Sequence, residues 1–188
     1  KLVKRGDPTA SASKLPGAEI LGVVSVPFAI TGEIGLVPKI GSDDFKASAF
    51  HLGAKWTLSE LFFELPLALA AKVQYSKINA DFKDTISGVP TSFTYEDSIL
   101  GVWAIASKNF AIVEPYVGLG WMKSDGSMDV NTTASGVFTG GRTSESASPS
   151  TTAFMVGTEV KLLVFKLGVE YLNAFGTSRF SGKLSFYF

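Results

Sequence analysis

Apolar and polar residues alternate along most of this chain. At its carboxyl end, apolar or small residues occupy every second position, namely Phe180, Gly182, Leu184, Phe186 and Phe188, and the positions between them are polar or basic except for Tyr187. Successive side chains of a β-strand point to opposite faces of the sheet, so this period of two predicts a strand with one apolar face.

The same pattern predicts further strands at residues 47–58, 67–76, 113–121, 154–162 and 165–175. Residues 18–36 keep one parity throughout and are predicted as a single strand bent at Pro27, because a two-residue hairpin there would reverse the parity. Residues 97–107 are apolar on both parities, so their faces stay unassigned. The total is about eight strands, or ten if residues 18–26 end a larger sheet that begins upstream of Lys1.

Polar stretches predict the connections. Loops are expected at residues 39–44, 78–96 and 124–151, the last of them rich in Ser, Thr and Gly. Two-residue hairpins are expected at Leu163-Val164 and at Gly176-Thr177. Long and short connections alternate, which predicts an up-and-down antiparallel sheet with its long loops on one side. Residues 1–17 are polar and basic and are expected to form a tail or the remnant of a preceding segment.

Composition limits the classes of protein to consider. The 188 residues are 46% hydrophobic, yet the longest apolar runs, such as residues 65–71, are far shorter than the roughly 20 residues of a spanning helix. The remaining options are a soluble core and strands that cross a bilayer. The 17 basic and 17 acidic residues balance, so no nucleic-acid partner is expected, and the absence of cysteine excludes disulfides and thiolate metal sites.

Side-chain size favours the bilayer. The apolar faces carry Phe, Leu, Val, Trp and Tyr at nearly every step, and eight such faces turned inward would overfill a small barrel. The polar faces combine small residues with scattered charges of both signs, which suits an enclosed ionic network. Its predicted members are Glu33, His51, Lys55, Lys72, Glu114, Glu159, Lys161, Lys166, Glu170, Arg179 and Lys183. A soluble lipocalin-like carrier, with the apolar faces inside, is the alternative.

The closing strand also resembles the terminal signal of bacterial outer-membrane β-barrels, through Phe180, Leu184, Phe186 and the final Phe188. The whole pattern resembles the small eight-stranded family typified by the transmembrane domain of OmpA and by OmpW. This resemblance implies an all-β, antiparallel, up-and-down transmembrane β-barrel over residues 18–188, a periplasmic segment at residues 1–17, and exterior loops near 78–96 and 124–151.

The resemblance further implies a Gram-negative cell outer membrane as location and outer-membrane lipid, lipopolysaccharide and the barrel assembly machinery as partners, and it is compatible with a further membrane-protein partner. No peptidoglycan-binding domain is recognisable, which argues against wall anchoring of the OmpA kind. An ionic lumen also departs from the apolar passage of OmpW.

The sequence contains no recognisable arrangement of catalytic residues. His51 is the single histidine, so a histidine metal cluster is impossible, and no nucleophile with an orienting carboxylate stands at a recognisable spacing. No cofactor is expected. The chain is therefore predicted to be a non-enzymatic structural, surface-recognition or accessory subunit; the alternative is a narrow porin-like pore or transporter for small solutes.

Overall fold

The computed structural model describes residues 20–41, 44–59, 66–86, 89–133, 140–163 and 165–186. The expected antiparallel all-β fold is confirmed. The strands are β1 (Ile20–Val26), β2 (Ile30–Gly41), β3 (Phe45–Thr57), β4 (Ala68–Ile86), β5 (Val89–Ser107), β6 (Val113–Thr132), β7 (Gly141–Ala147), β8 (Ser150–Leu162), β9 (Phe165–Ala174) and β10 (Thr177–Phe186).

All ten strands belong to one sheet with the order β1-β2-β3-β4-β5-β6-β8-β9-β10, and β7 also pairs with β6. Ala147 of β7 lies opposite Gly126 of β6, and Ser150 of β8 lies opposite Lys123, so three steps separate the pairs on both strands. Strands β7 and β8 therefore follow β6 in one unbroken register. The sheet thus has nine strand positions.

The segment expected to be one bent strand is instead a hairpin. Strands β1 and β2 pair with each other, and Val26 lies opposite Ile30 across a three-residue turn. Phe28 and Ala29 have φ angles of 71° and 59°, which reverse the chain in three residues. A turn of odd length keeps the apolar parity, so the parity argument excluded only the two-residue hairpin.

Both long stretches predicted as loops contain strands. Residues 78–86 and 89–96 continue β4 and β5 as a long hairpin, and much of 124–151 belongs to β6, β7 and β8. Their polar side chains are compatible with strands because the ladders satisfy the backbone groups.

The two short hairpins near the carboxyl end were predicted with unequal success. Leu162 pairs with Phe165 as predicted, and Val164 of the predicted turn lies outside the described residues. The last turn lies one residue earlier than predicted, because Ala174 pairs with Thr177. Phe175 and Gly176 have φ angles of 52° and 70°, as a type I′ turn requires at both central positions.

The two faces of the sheet differ in exposure. On the face that we call outer, large apolar side chains such as Leu119 (67%) and Val169 (62%) are exposed. On the inner face, the side chains of Glu33 and Lys72 retain only 12% and 17% of their exposure. The sheet curls in a barrel-like manner around this inner face.

Candidate functional site

An ionic cluster on the inner face connects β2, β3 and β4. The Lys72 ammonium donates a hydrogen bond of 2.7 Å to Oε2 of Glu33. His51 Nε2 lies 3.7 Å from the same oxygen, and His51 Nδ1 is 3.1 Å from the hydroxyl of Ser76. The Glu33 carboxylate of β2 is therefore in contact with side chains from the next two strands, His51 of β3 and Lys72 of β4.

A second group of ion pairs lies on β6, β8, β9 and β10. Lys161 and Glu114 are 3.0 Å apart, and Glu114 also accepts a hydrogen bond from Ser107. Glu159 lies between two cations, with its oxygens 3.7 Å from Lys166 and 3.6 Å from Lys183. Each carboxylate thus has a partner on a neighbouring strand, as partly buried charges require.

Glycines separate the partners of several inner-face contacts. Glu33 lies opposite Gly53 on β3, and a Cβ built on that glycine would lie 3.2 Å from the Glu33 carboxylate. Tyr116 lies opposite Gly157 on β8 and donates a 2.9 Å hydrogen bond to Glu170 on the strand beyond. Because the glycine on the middle strand has no side chain, the side chains of the two flanking strands have space to meet.

The structure gives most of the predicted network residues a charged or hydrogen-bonding partner. Within the described residues, Lys55 and Arg179 have no carboxylate within 4.0 Å, although both lie on the inner parity. Of the predicted insertion signal, Phe180 and Leu184 are 81% and 59% exposed on the outer face. The side chain of Phe186 and all of Phe188 lie outside the described residues.

The inner face also contains an apolar cluster that the sequence reasoning missed, so the inner face is not wholly ionic. Its buried members are Trp103, Met122, Ala153, Met155 and Leu172. Trp103 is 2% exposed, and its ring packs over Gly120 of β6, where a Cβ would lie 2.5 Å from the ring. The signal for it was the doubly apolar stretch at residues 97–107, because that strand is apolar on its inner face too.

The exposed apolar side chains of the outer face form a band that we call the outer belt. On β6 it runs from Val113 to Trp121 and on β8 from Phe154 to Leu162, nine residues each. Nine residues, at about 3.3 Å each and a tilt of about 45°, span about 21 Å, close to the apolar band of about 25 Å on outer-membrane barrels.

The outer belt has a sharp upper border. The last belt residues on β4, β5 and β6 are Tyr75, Leu100 and Trp121, and the next outward positions are Lys77, Ser98 and Lys123. Exposed ion pairs begin at that level, with Lys77 3.5 Å from Glu96 and Lys123 3.1 Å from Asp125. An aromatic residue on two of the three strands marks the border, as at membrane interfaces.

Beyond the border, residues 78–86, 89–98 and 124–132 and strand β7 form what we call the upper sheet. Asp97 lies on its inner side with 6% exposure and accepts hydrogen bonds from Ser124 at 2.6 Å and Tyr95 at 3.1 Å. Burial and the Asp97 carboxylate raise the pKa of Tyr95. Hydrogen bonds from Ser148 and Lys123 lower the pKa of Asp125. The upper sheet is polar and water-exposed on its outer side.

No group of three or more His, Asp or Glu side chains that could hold a metal ion occurs among the described residues. In the same part of the chain, no helix has the length and apolarity needed to cross a membrane.

Comparisons with known proteins identify a family but no characterised relative. Neither the curated proteins nor the solved structures include a match to this chain. A family model described as a family of unknown function, DUF6588, matches residues 9–186, which is nearly the whole chain. The chain therefore belongs to the DUF6588 family.

Proposed function

We propose that this chain is a non-enzymatic β-barrel protein of a Gram-negative outer membrane, with the outer belt in contact with lipid and the upper sheet exposed to the cell exterior. It acts as a structural, surface-recognition or accessory subunit, and its partner surface is the upper sheet. Outer-membrane lipid and lipopolysaccharide surround the belt, and the barrel assembly machinery inserts the chain.

The observation that carries the proposal is the exposure of the outer belt. Large side chains such as Leu119, Val169 and Phe180 are 62–81% exposed on the outer belt, to which every strand except β7 contributes apolar residues. Soluble monomers rarely expose contiguous apolar patches larger than a few hundred Å². A bilayer removes this cost, and the belt has the height and the polar border that a bilayer requires.

Two features of the inner face favour a structural role over a pore. Glu33, Glu114 and Glu159 are each paired with lysines rather than left free to attract permeant ions. The Trp103 cluster adds buried apolar side chains from β5, β6, β8 and β9 to the inner face. The soluble-carrier alternative requires an apolar interior open to ligand and a polar exterior, and the distribution of exposed residues is the opposite.

Tryptophan fluorescence in lipid vesicles tests the membrane proposal. The chain has three tryptophans: Trp56 and Trp121 lie on the outer belt with 41% and 45% exposure, and Trp103 is buried on the inner face. In the Trp103→Phe variant, lipids brominated on their acyl chains are expected to quench most of the emission. In the Trp56→Phe/Trp121→Phe variant, quenching is expected to be weak.

Strong quenching of Trp103 with little quenching of the other two would reverse the orientation and reject the proposal. A chain that stays monodisperse without detergent and shows no quenching in either variant would be a soluble protein. To test the role of the upper sheet, intact cells are labelled with a membrane-impermeant reagent at Ser144→Cys. Labelling there, and none at Asn109→Cys at the opposite end, is the expected result.

A further inference from the structure

The two ends of the strand order are open edges. Within the described residues, β1 pairs only with β2, β10 pairs only with β9, and no ladder joins β1 to β10. Inward-facing residues are well exposed there, with Val23 at 45% and the Lys183 side chain at 40%. Strand β1, ILGVVSV, also lacks the charges and prolines that protect free edges from pairing.

The open edges matter because a bilayer offers no hydrogen-bonding partners to backbone groups. Each unpaired N–H or C=O in the hydrocarbon region costs several kcal/mol, at least about 2. If the outer belt lies in lipid, as proposed above, both edges need a partner strand.

The direction of the two edges limits how they can pair. All steps in the order β1-β2-β3-β4-β5-β6-β8-β9-β10 are antiparallel, and nine positions are an odd number. Strands β1 and β10 therefore run in the same direction. A direct contact between them is parallel.

The register determines which residues would meet. Successive ladder partners across the sheet connect Val26 of β1 with Ser178 of β10. The residues between them are Ile30, Trp56, Ala71, Ala104, Leu119, Phe154 and Asn173. Strands in a closed barrel tilt, so that one circuit returns displaced along the strand by a fixed shear, about eight residues in a barrel of about this size. That displacement moves the end of the circuit from Ser178 to Phe186.

With this shear, all seven residues of β1 lie beside residues 180–186 of β10. Ile20 then lies beside Phe180 and Val24 beside Leu184, so that exposed apolar side chains meet on the outer face. On the inner face, Val23 lies between Lys183 and its own ladder partner Glu33. Lys183 and Glu33 would be about 10 Å apart, two strand spacings.

We propose that β1 and β10 pair with each other in parallel, with Val24 beside Leu184, and close the sheet into a nine-stranded barrel. We call this contact between β1 and β10 the seam. It rests on the proposed membrane function, because the cost of unpaired backbone groups in lipid is what drives the two edges together. It makes one strand contact unlike the other eight, because it is parallel and only seven residues long.

Disulfide cross-linking tests the seam, and the chain has no cysteine of its own. The test pair is Val24→Cys with Leu184→Cys in the full chain, oxidised in vesicles. The displaced control is Val24→Cys with Phe180→Cys, four residues away and so about 13 Å off register. The positive control is Val169→Cys with Gly182→Cys, which face each other across β9 and β10.

The expected result is an intramolecular disulfide in the test pair, formed several-fold more completely than in the displaced pair and about as completely as in the positive control. Disulfide-linked dimers would overturn the proposal in favour of a second copy at the edge. A positive control that cross-links while both seam pairs fail would also overturn the proposal, because β1 and β10 would then not meet in this register. Failure of the membrane proposal is seen separately, because the positive-control pair then forms in a protein that stays out of the vesicles.

Discussion

Lys72 on β4 donates a 2.7 Å hydrogen bond to Glu33 on β2, across the intervening strand β3. The contact passes over Gly53, the residue that lies opposite Glu33 in the ladder. Two strands that share no backbone ladder are in this way joined through side chains. The stability of the inner face therefore depends on pairs of residues together with the glycines between them.

Removing one member of this pair should cost more than removing both. Lys72→Met leaves the Glu33 carboxylate, 12% exposed, without its closest cation, and we expect a loss of about 1–3 kcal/mol of unfolding free energy. Glu33→Gln/Lys72→Met should recover most of it. The measurement is urea unfolding in lipid vesicles, with Lys77→Met, from an exposed ion pair, as a control within about 0.5 kcal/mol of the parent. Equal losses in the single and double variants would contradict the prediction.

Gly157→Ala should destabilise the chain through steric overlap. The added Cβ would overlap the Tyr116 ring and lie 2.8 Å from the carbonyl of Val169, so the Tyr116–Glu170 contact must shift. We expect a cost of about 1–3 kcal/mol, as for other overpacked sites. Gly168→Ala, whose Cβ would meet side chains at 3.5 Å and beyond, is the matched control and should be nearly neutral. Equal stability of the two variants would contradict the geometry.

A charge on the outer belt should be costly only in lipid. Leu119→Arg places a cation on a 67% exposed position of the belt, and we expect a loss of about 2–4 kcal/mol if this position lies near the bilayer midplane. Ser144→Arg, on an exposed position of β7, should change stability by less than about 0.5 kcal/mol. A neutral or stabilising Leu119→Arg would indicate that the belt faces water.

The Trp103 cluster and the paired charges of the inner face predict that the chain does not conduct ions. In planar bilayers we expect no discrete conductance steps from the parent chain. Trp103→Ala removes the largest fully buried side chain and should cost about 3–5 kcal/mol in the vesicle unfolding assay. Steady conductance by the parent, with an ion selectivity that changes in Lys72→Ala or Glu159→Ala, would favour the pore alternative.

The upper hairpin should be dispensable for assembly. Asn79 pairs with Glu96 just above the belt, so residues 80–95 can be replaced by an Asn-Gly turn without changing the strands below. We expect the shortened chain to insert and to resist unfolding nearly as well as the parent, and to lose any binding carried by the upper sheet. Failure of the shortened chain to assemble would assign the hairpin a folding role.

The period-two pattern predicted which face each side chain occupies, because alternation follows directly from strand geometry. It placed Leu52, Val73 and Val169 on the exposed face and Glu33, Lys72 and Glu159 on the enclosed one. The pattern could not predict the upper sheet. Strands such as β7 have water on both faces, so their residues need not alternate and read as loop.

The ion-pair partners on the inner face could not be predicted from the sequence, for a different reason. Which lysine meets Glu159 depends on the register of three strands, and each turn contributes an uncertainty of one or two residues. The last hairpin illustrates this, because a turn one residue earlier moves the partner of Tyr171 from Gly182 to Phe180. Trp103 was missed since its strand offered no polar face to compare.

The glycines of the inner face have a consequence for sequence variation in the family. A methyl group at position 53 would lie 3.2 Å from the Glu33 carboxylate, and one at position 157 would overlap the Tyr116 ring as well as lie 2.8 Å from the carbonyl oxygen of Val169. The two positions of each pair are therefore expected to co-vary, with a small residue retained where its neighbour is large and gained or lost together with it.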